Sequence, residues 1–505
     1  MTTQFFNSLE GRRRPVGHGR GRKPCTSKSL CIESLESRAL FSATSPSPSF
    51  AEVSVASPAD CAALAPAAYS SCPVTTLAFI GRWTSDVAGN VPSHASSPLG
   101  AKAASTFLGL HDAALAALTQ SLYSRDGSIT RNDMIQILES TGYDDGVVDA
   151  AELSDLRTIL ADASTLKIPG YVQVLAGDVV AGNAANATYQ GYAMGNLRAG
   201  SSVTQLDHLV NKWFLGADHP VTGGYQYVAA AGTLFGSSTP SHYDEHQGAL
   251  GDCYFISSLG AIADSSPAAI RNMFIDNGVS NGVHTWTVRF YVNGRADYVT
   301  VDNLLPVDSL GNFVFQGIGV RAGNAGNSLW IALAEKAYAE WDQTGNEGRG
   351  GKNSYVDIQG GWMANVDAQV LGHAAPSYAL QTNSDRQTLI NALTNHMAVT
   401  IGTDSSSRSD DSLSYGLYGS HAYAVTGYNS RTGTFTLYNP WGNHQPAALT
   451  WSQLRQTCCG FVVANTYTAT AGQVYRPTAR EAAVDALFAG ASRKELFAPA
   501  PTACQ

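Results

Sequence analysis

The stretch QGALGDCYFISSLGAIAD, residues 247–264, decides the fold of this 505-residue chain. It contains Cys253, which stands alone in the middle of the chain, whereas the other seven cysteines lie towards the two ends. Gly248 and Gly251 permit a tight loop just before Cys253, and the apolar residues after it recur at helical spacing. The sequence therefore predicts Cys253 at the N-terminus of a helix, where unpaired N–H groups and the helix dipole stabilise a thiolate. The alternative is a buried structural cysteine.

A cysteine nucleophile needs a base, and two later segments supply candidates for it and for its orienting group. GSHAYAVTGYN, residues 419–429, places His421 at the start of an alternating, strand-like run, and GTFTLYNPWG, residues 433–442, ends a second run at Asn439. The polar turn between them predicts a β-hairpin that brings Asn439 close to His421. The side-chain oxygen of Asn439 would accept from an imidazole N–H, and Trp441 would shield that bond from water.

The order and spacing of these residues agree with a papain-type arrangement. His421 follows Cys253 by 168 residues, and Asn439 follows His421 by 18. Gln247 precedes the cysteine by six residues, where its side-chain N–H would stabilise an oxyanion together with the Cys253 backbone N–H.

The active-site stretch resembles that of the calpain-type cysteine proteases, and further segments of that family's pattern follow in order. They are VTVDNLLPV (299–307), SLWIALAEKAYAEW (328–341), YVDIQGG (355–361), GSHAYAVTGY and LYNPWG. For residues 225–467 the resemblance implies an α+β, two-lobed papain-like fold. A helical lobe carries Cys253, a β-rich lobe carries His421 and Asn439, and the substrate lies between them. The implied function is a cysteine endopeptidase that acts on proteins or peptides through a thioester.

The resemblance also implies calcium as a cofactor. One core site of the family uses a carboxylate nine residues before the nucleophile and the glutamate of the L-x-E-K-A-Y segment, which correspond here to Asp244 and Glu335. The family's second core site lies partly on an acidic insertion after N-P-W-G. Here residues 443–446 are Asn-His-Gln-Pro, so the acidic ligands are absent and we do not expect that site.

Residues 101–165 predict a small helical module that resembles a degenerate pair of EF-hands. A calcium loop needs oxygen donors at positions 1, 3, 5 and 12, glycine at 6 and an aliphatic residue at 8. Position 1 falls on Leu122 in the first turn and on Thr141 in the second, so the ligand set is thinned. The residues that match are Asp126, Gly127, Ile129 and Asp133 in the first turn and Asp145, Gly146, Val148, Asp149 and Glu152 in the second. The pattern favours a module held by its core, with calcium binding as the alternative.

Composition argues against nucleic-acid binding and against a membrane span. The net charge is −9, which argues against general binding to nucleic acid. No stretch approaches 18 consecutive apolar residues, so we expect no membrane span. Residues 1–45 form a basic, targeting-like segment, in which SLCIESLESRALFSA resembles the N-termini of some bacterial cell-surface proteins. We therefore expect a secreted or cell-surface protein, the alternative being a cytoplasmic one.

The remaining parts of the chain carry less information. Residues 46–100 read as a Ser/Ala/Pro-rich linker, 166–224 as a connecting region and 468–505 as a C-terminal tail. Cys61 and Cys72 either form a disulfide in an oxidising compartment or stay thiols. Two other functions are open: a catalytically silent surface or interaction protein on a calpain-like scaffold, and a Cys-His transferase, which Asn439 and the segment order disfavour.

Overall fold

Five helices form the first part of the structure, a computed structural model that describes residues 106–236, 239–404 and 412–466. The predicted segment 1–45, the linker 46–100, the tail 468–505 and the cysteines 61 and 72 lie outside these ranges. The helices are α1 (Ala113–Asp126), α2 (Arg131–Ser140), α3 (Ala150–Ala161), α4 (Gly170–Val180) and α5 (Val203–Trp213). Short strands lie among them: β1 (Val147–Val148), β2 (Thr188–Tyr189), β3 (Tyr192–Ala193) and β4 (Ser201–Ser202). The helical character predicted for this region is present.

Capping side chains set where these helices begin. Thr130 and Asp133 form a capping box at α2, and Asp149 and Glu152 form one at α3. Glu152 Oε1 accepts from Gly142 N at 2.6 Å, and Oε2 accepts from Asp149 N at 2.9 Å. Both oxygens of the residue at calcium-loop position 12 thus accept from backbone N–H groups, and the bond to Asp149 N is that of a helix capping box.

The two turns that resemble EF-hand loops do not pair with each other. Val147 and Val148 of β1 pair with Ser202 and Ser201 of β4, about fifty residues further on. In the first turn, Ile129 N instead donates to Leu166 O at 2.9 Å. The β-contact of the second turn therefore belongs to the segment that leads into α5.

The helical lobe is built around α6 (Cys253–Ser265), whose first eleven residues are all buried. The lobe also contains α7 (Pro267–Arg271), α8 (Trp330–Asp342) and α9 (Met363–Leu371). A three-stranded antiparallel sheet consists of β6 (Phe274–Ser280), β7 (Val283–Val292) and β8 (Arg295–Asp302), and a separate pair joins β5 (Gln226–Ala229) to β9 (Leu304–Val307). α6 packs against α8 and α9 on this side and against strands of the second lobe on the other.

The β-rich lobe is a six-stranded antiparallel sheet in the order β10-β15-β11-β12-β13-β14. Its strands are β10 (Ser377–Tyr378), β11 (Ala398–Thr403), β12 (Ala422–Asn429), β13 (Thr434–Tyr438), β14 (Leu449–Thr450) and β15 (Cys458–Ala464), and its helices are α10 (Asn383–Thr394) and α11 (Trp451–Thr457). The predicted hairpin is β12–β13, and Gly433, at φ +70°, closes its turn by donating to Asn429 O at 2.8 Å. Mixed helix and sheet in two lobes agrees with the predicted class.

Five short 3-10 helices complete the described structure: Phe107–Gly109, Ala184–Ala187, His242–Asp244, Tyr355–Ile358 and Ser414–Gly416. One hydrophobic core runs from the N-terminal helices into the helical lobe, and a second fills the β-rich lobe. α4 and α5, from the predicted connecting region, pack directly on β8. Across the described ranges, no helix has the length and apolar character that a membrane span requires.

Candidate active site

Cys253 is the first residue of α6 and is fully buried. The loop before it is held by backbone contacts, because Ala249 N donates to Val314 O at 3.0 Å and Gly360 N donates to Gly251 O at 2.8 Å. A Cβ atom at Gly248 would lie 2.2 Å from the carbonyl oxygen of Phe315, so only glycine fits there. Close backbone packing therefore fixes where the helix starts and places the sulfur at the positive end of its dipole.

His421 lies immediately before β12, with its backbone tied to β11. His421 N donates to Thr403 Oγ1 and Thr403 N donates to His421 O, both at 2.9 Å. The imidazole is almost wholly buried, with ring centroids 4.7 Å from Trp441 and 4.9 Å from Tyr423. The ring therefore lies in an aromatic setting that excludes water.

Asn439 follows the last residue of β13 and is fully buried. Its Oδ1 lies 3.0 Å from His421 Nε2 and also accepts from Trp441 N at 3.1 Å, while Nδ2 donates to His444 O at 3.4 Å. A backbone N–H can only donate, so the atom that faces both groups is the oxygen. Because that oxygen can only accept, His421 Nε2 carries a hydrogen, and proton exchange with a substrate or a thiol is left to Nδ1.

The helix that begins at Cys253 packs against the sheet that carries His421. Helix α6 packs against β11 and β12, the strands that flank His421. Tyr423 contacts the His421 ring, and burial, together with the charges of Cys458 and Cys253, raises the pKa of its phenol. Tyr423 thus contacts the histidine, and its phenol interacts electrostatically with the cysteine.

Gln247 connects the loop before Cys253 with the turn after Asn439. Its backbone N donates to Pro440 O at 2.9 Å, and its side-chain Nε2 donates to Leu250 O at 2.8 Å. A primary amide carries two N–H donors, so one remains for a ligand at Nε2. The side chain is nearly fully buried, which limits the positions it can adopt.

The two carboxylates expected to bind calcium accept hydrogen bonds from different groups. Asp244 Oδ2 accepts from Ser241 N and Trp330 Nε1, both at 3.0 Å. Glu335 Oε2 accepts from Gln316 N at 3.1 Å, and burial, reinforced by the neighbouring Asp252, raises the pKa of its carboxyl well above the usual range.

These residues do not fit a calcium ion as they stand. Calcium takes six to eight oxygen ligands, whereas residues 106–236, 239–404 and 412–466 contain no group of three or more His, Cys, Asp or Glu side chains placed to hold a metal.

Two features of the site were not predicted from the sequence. The first is Gln445, whose side chain bonds to the backbone of Asn439. The second is the close approach of Gly442 to His246, at which an added Cβ atom would lie 2.3 Å from His246 Nδ1. A polar residue in a short loop after N-P-W-G was the only available signal for Gln445, and none existed for the contact between the lobes.

Comparison with known proteins finds sequence similarity over the residues that form this site. Residues 228–457 match the family described as calpain family cysteine protease. Similar proteins include the calpain-type cysteine protease DEK1 of Zea mays, 29% identical over 227 residues, which are 43% of this chain and 10% of that protein. Calpain-13 of Rattus norvegicus is 29% identical over 212 residues, which are 40% of this chain and 30% of that protein.

A calpain of Schistosoma mansoni is 28% identical over 218 residues, covering 40% of this chain and 26% of that protein. The chain thus spans less than a third of the length of each of these relatives. The matched range contains Cys253, His421 and Asn439 and supports a cysteine-type endopeptidase. Residues 228–457 therefore match a calpain-family cysteine protease domain.

Proposed function

We propose that this chain is a cysteine endopeptidase in which Cys253 is the nucleophile, His421 the base and acid, and Asn439 the residue that orients the imidazole. One observation carries the proposal: the 3.0 Å contact between His421 Nε2 and Asn439 Oδ1, buried beside Trp441. This bond fixes the tautomer in which Nδ1 exchanges protons, as a cysteine nucleophile requires. The calpain-family match over the same residues supports it.

Acylation begins with the proton of Cys253 on His421 Nδ1. The thiolate is favoured by the N-terminus of α6 and by the imidazolium, and it attacks the carbonyl carbon of a peptide bond. A carbon–sulfur bond forms and the carbonyl π electrons move to oxygen. His421 Nδ1 then gives its proton to the amide nitrogen, the carbon–nitrogen bond breaks, and the amine product leaves a thioester on Cys253.

Deacylation uses the same groups in reverse roles. His421 Nδ1 takes a proton from water, the resulting hydroxide attacks the thioester carbon, and the carbon–sulfur bond breaks to release a carboxylic acid. In both steps the oxyanion is stabilised by the second N–H of Gln247 Nε2 and by the backbone N–H of Cys253 at the N-terminus of α6.

The test uses the full chain with an unfolded protein such as casein as substrate. We expect wild-type hydrolysis, a loss of turnover in Cys253→Ser with an unchanged melting temperature, and covalent labelling of Cys253 by a thiol-directed epoxide. Full casein hydrolysis by Cys253→Ser would refute the mechanism. An inert Cys253 in the wild type, with and without calcium, would instead support a catalytically silent interaction protein.

The same experiment also tests whether casein hydrolysis depends on calcium. The resemblance to calpains implies a site at Asp244 and Glu335, and titration with calcium against a chelator tests it. The prediction that the protein lies outside the cell or at its surface rests on residues 1–45 alone. Fractionation of the producing cells would check it.

A further inference from the structure

The turn that follows Asn439 is short and tightly bonded. Gly442, at φ +75°, donates its backbone N–H to Asn439 O at 3.0 Å, and His444 adopts a left-handed backbone at φ +51°. That conformation is unfavourable for a residue with a Cβ atom. It occurs here where the chain turns back, so that His444 O meets Asn439 Nδ2 and the next side chain reaches the Asn439 backbone.

Gln445 closes this turn with both ends of its side-chain amide. Its Oε1 accepts from Asn439 N at 2.7 Å, and its Nε2 donates to Asn439 O at 3.2 Å. The two bonds form a ring between one amide side chain and the main-chain polar atoms of one residue. Such a two-point contact fixes position and rotation together, which a single hydrogen bond does not.

Every polar atom of Asn439 is consequently held. The side chain contacts His421, Trp441 and His444, as described above. The main chain is held by Gly442 and by both bonds from Gln445. Loss of Gln445 would leave the buried Asn439 N–H without its hydrogen-bond acceptor, and the turn would relax to find another.

We propose that Gln445 is a positioning residue for the reaction proposed above. It keeps Asn439 Oδ1 against His421 Nε2, and so keeps the imidazolium able to hold Cys253 as a thiolate. The inference rests on the proposed function. The side-chain amide of Gln445 bonds to the backbone of Asn439, so its effect passes through Asn439.

The experiment compares Gln445→Ala with Gln453→Ala in the full chain. Gln453 is a matched control, because its side-chain Oε1 also accepts from a backbone N–H, that of Thr450 at 2.7 Å, and caps α11 without contacting Asn439. We expect Gln445→Ala to lower kcat by about tenfold, with KM within about twofold, since the loss concerns the chemical step. Gln453→Ala should leave kcat unchanged and lower only the melting temperature.

The decisive readout is the alkylation of Cys253 by iodoacetamide against pH, followed by mass spectrometry of its peptide. In Gln445→Ala the alkylation rate at neutral pH should fall by about the same tenfold factor, and its midpoint should move to higher pH, because the thiolate loses an oriented imidazolium. A purely structural role would lower the melting temperature without moving this midpoint.

A second variant, Gln445→Glu, keeps the acceptor and changes only the donor. An ionised glutamate accepts from Asn439 N but repels Asn439 O, whereas a protonated one restores the donation. We expect the alkylation defect of this variant to diminish as the pH falls through its carboxyl pKa.

A wild-type alkylation profile in Gln445→Ala, or an equal loss of kcat in Gln453→Ala, would overturn the role of Gln445 and leave the proposed function intact. An inert wild-type Cys253 would overturn both.

Discussion

Replacement of Gly442 by alanine tests whether direct contact between the lobes aligns the site. A Cβ atom at this position would lie 2.3 Å from His246 Nδ1 and 2.7 Å from the carbonyl oxygen of Glu245. Both residues precede Gln247, whose backbone N bonds to Pro440 O at 2.9 Å. The substitution therefore presses on a place where the loop of the cysteine lobe meets the Asn439 turn through a backbone hydrogen bond.

The magnitude follows from these distances. The His246 ring can rotate away, but the Glu245 carbonyl is backbone, and an ordinary contact begins near 3.4 Å, so the two segments must separate by about 0.7 Å. A misplacement of this order at reacting groups costs about 10²-fold in rate. The left-handed backbone of Gly442 adds roughly 1–2 kcal/mol of strain for any residue with a Cβ atom.

Gly433→Ala separates the two effects. Gly433 has a similar φ of +70°, yet no atom lies within 4 Å of its added Cβ. We expect both variants to melt at a lower temperature, but only Gly442→Ala to lose kcat/KM on a fluorogenic peptide by about 10–10²-fold. Equal activity in the two variants would refute the claim that this contact aligns the lobes.

Three further predictions concern single buried groups. Lys212→Met should lower the free energy of unfolding in urea by roughly 3–5 kcal/mol, because it leaves the buried Asp218 without its cation; a loss below about 1 kcal/mol would contradict this. Burial raises the pKa of Asp367 to about 8, above its unfolded value, so the folded state loses stability as pH rises from about 4 to 8. Asp367→Asn should therefore gain stability relative to wild type as the pH rises over that interval. If the difference in free energy of unfolding between the two proteins stayed constant from about pH 4 to 8, the raised pKa of Asp367 would be excluded. Gln247→Ala should lower kcat by about 10²–10³-fold with a folded protein by circular dichroism, and an unchanged kcat would remove Gln247 from the oxyanion site.

The part of the site that was predictable from sequence has local signals. Glycines before Cys253 and apolar spacing after it indicate a loop followed by a helix, and the structure starts α6 at that residue. The polar turn before Gly433 indicates a hairpin, and β12 pairs with β13 as expected. Asn439 then meets His421 because the strands are antiparallel and both residues lie just outside the paired ends.

The structure does not support the expected calcium sites. The reason is chemical, and the sequence cannot reveal it. Asp149-x-x-Glu152 satisfies the pattern of a calcium loop and also that of a helix capping box, and here it forms the capping box. Asp244 likewise accepts from a backbone N–H and an indole. The same carboxylates serve either purpose, and only their neighbours in space decide which. The pairing of β1 with β4 had no local signal, because each strand is two residues long.

The N-terminal helices and the cysteine lobe are one structural unit because their charged groups are buried against each other. Lys212 of α5 bonds to Asp218 and to Gln343, which follows α8, and Gln343 in turn donates to Thr188 at 2.6 Å. At the end of β8, Asp302 accepts from Lys336 and contacts His219. Buried charges are tolerated only when their partners are present. A fragment that begins near residue 225 would lose Lys212, Asp218 and His219 together, so activity measured on such a fragment would report a damaged lobe rather than the release of an inhibitory segment.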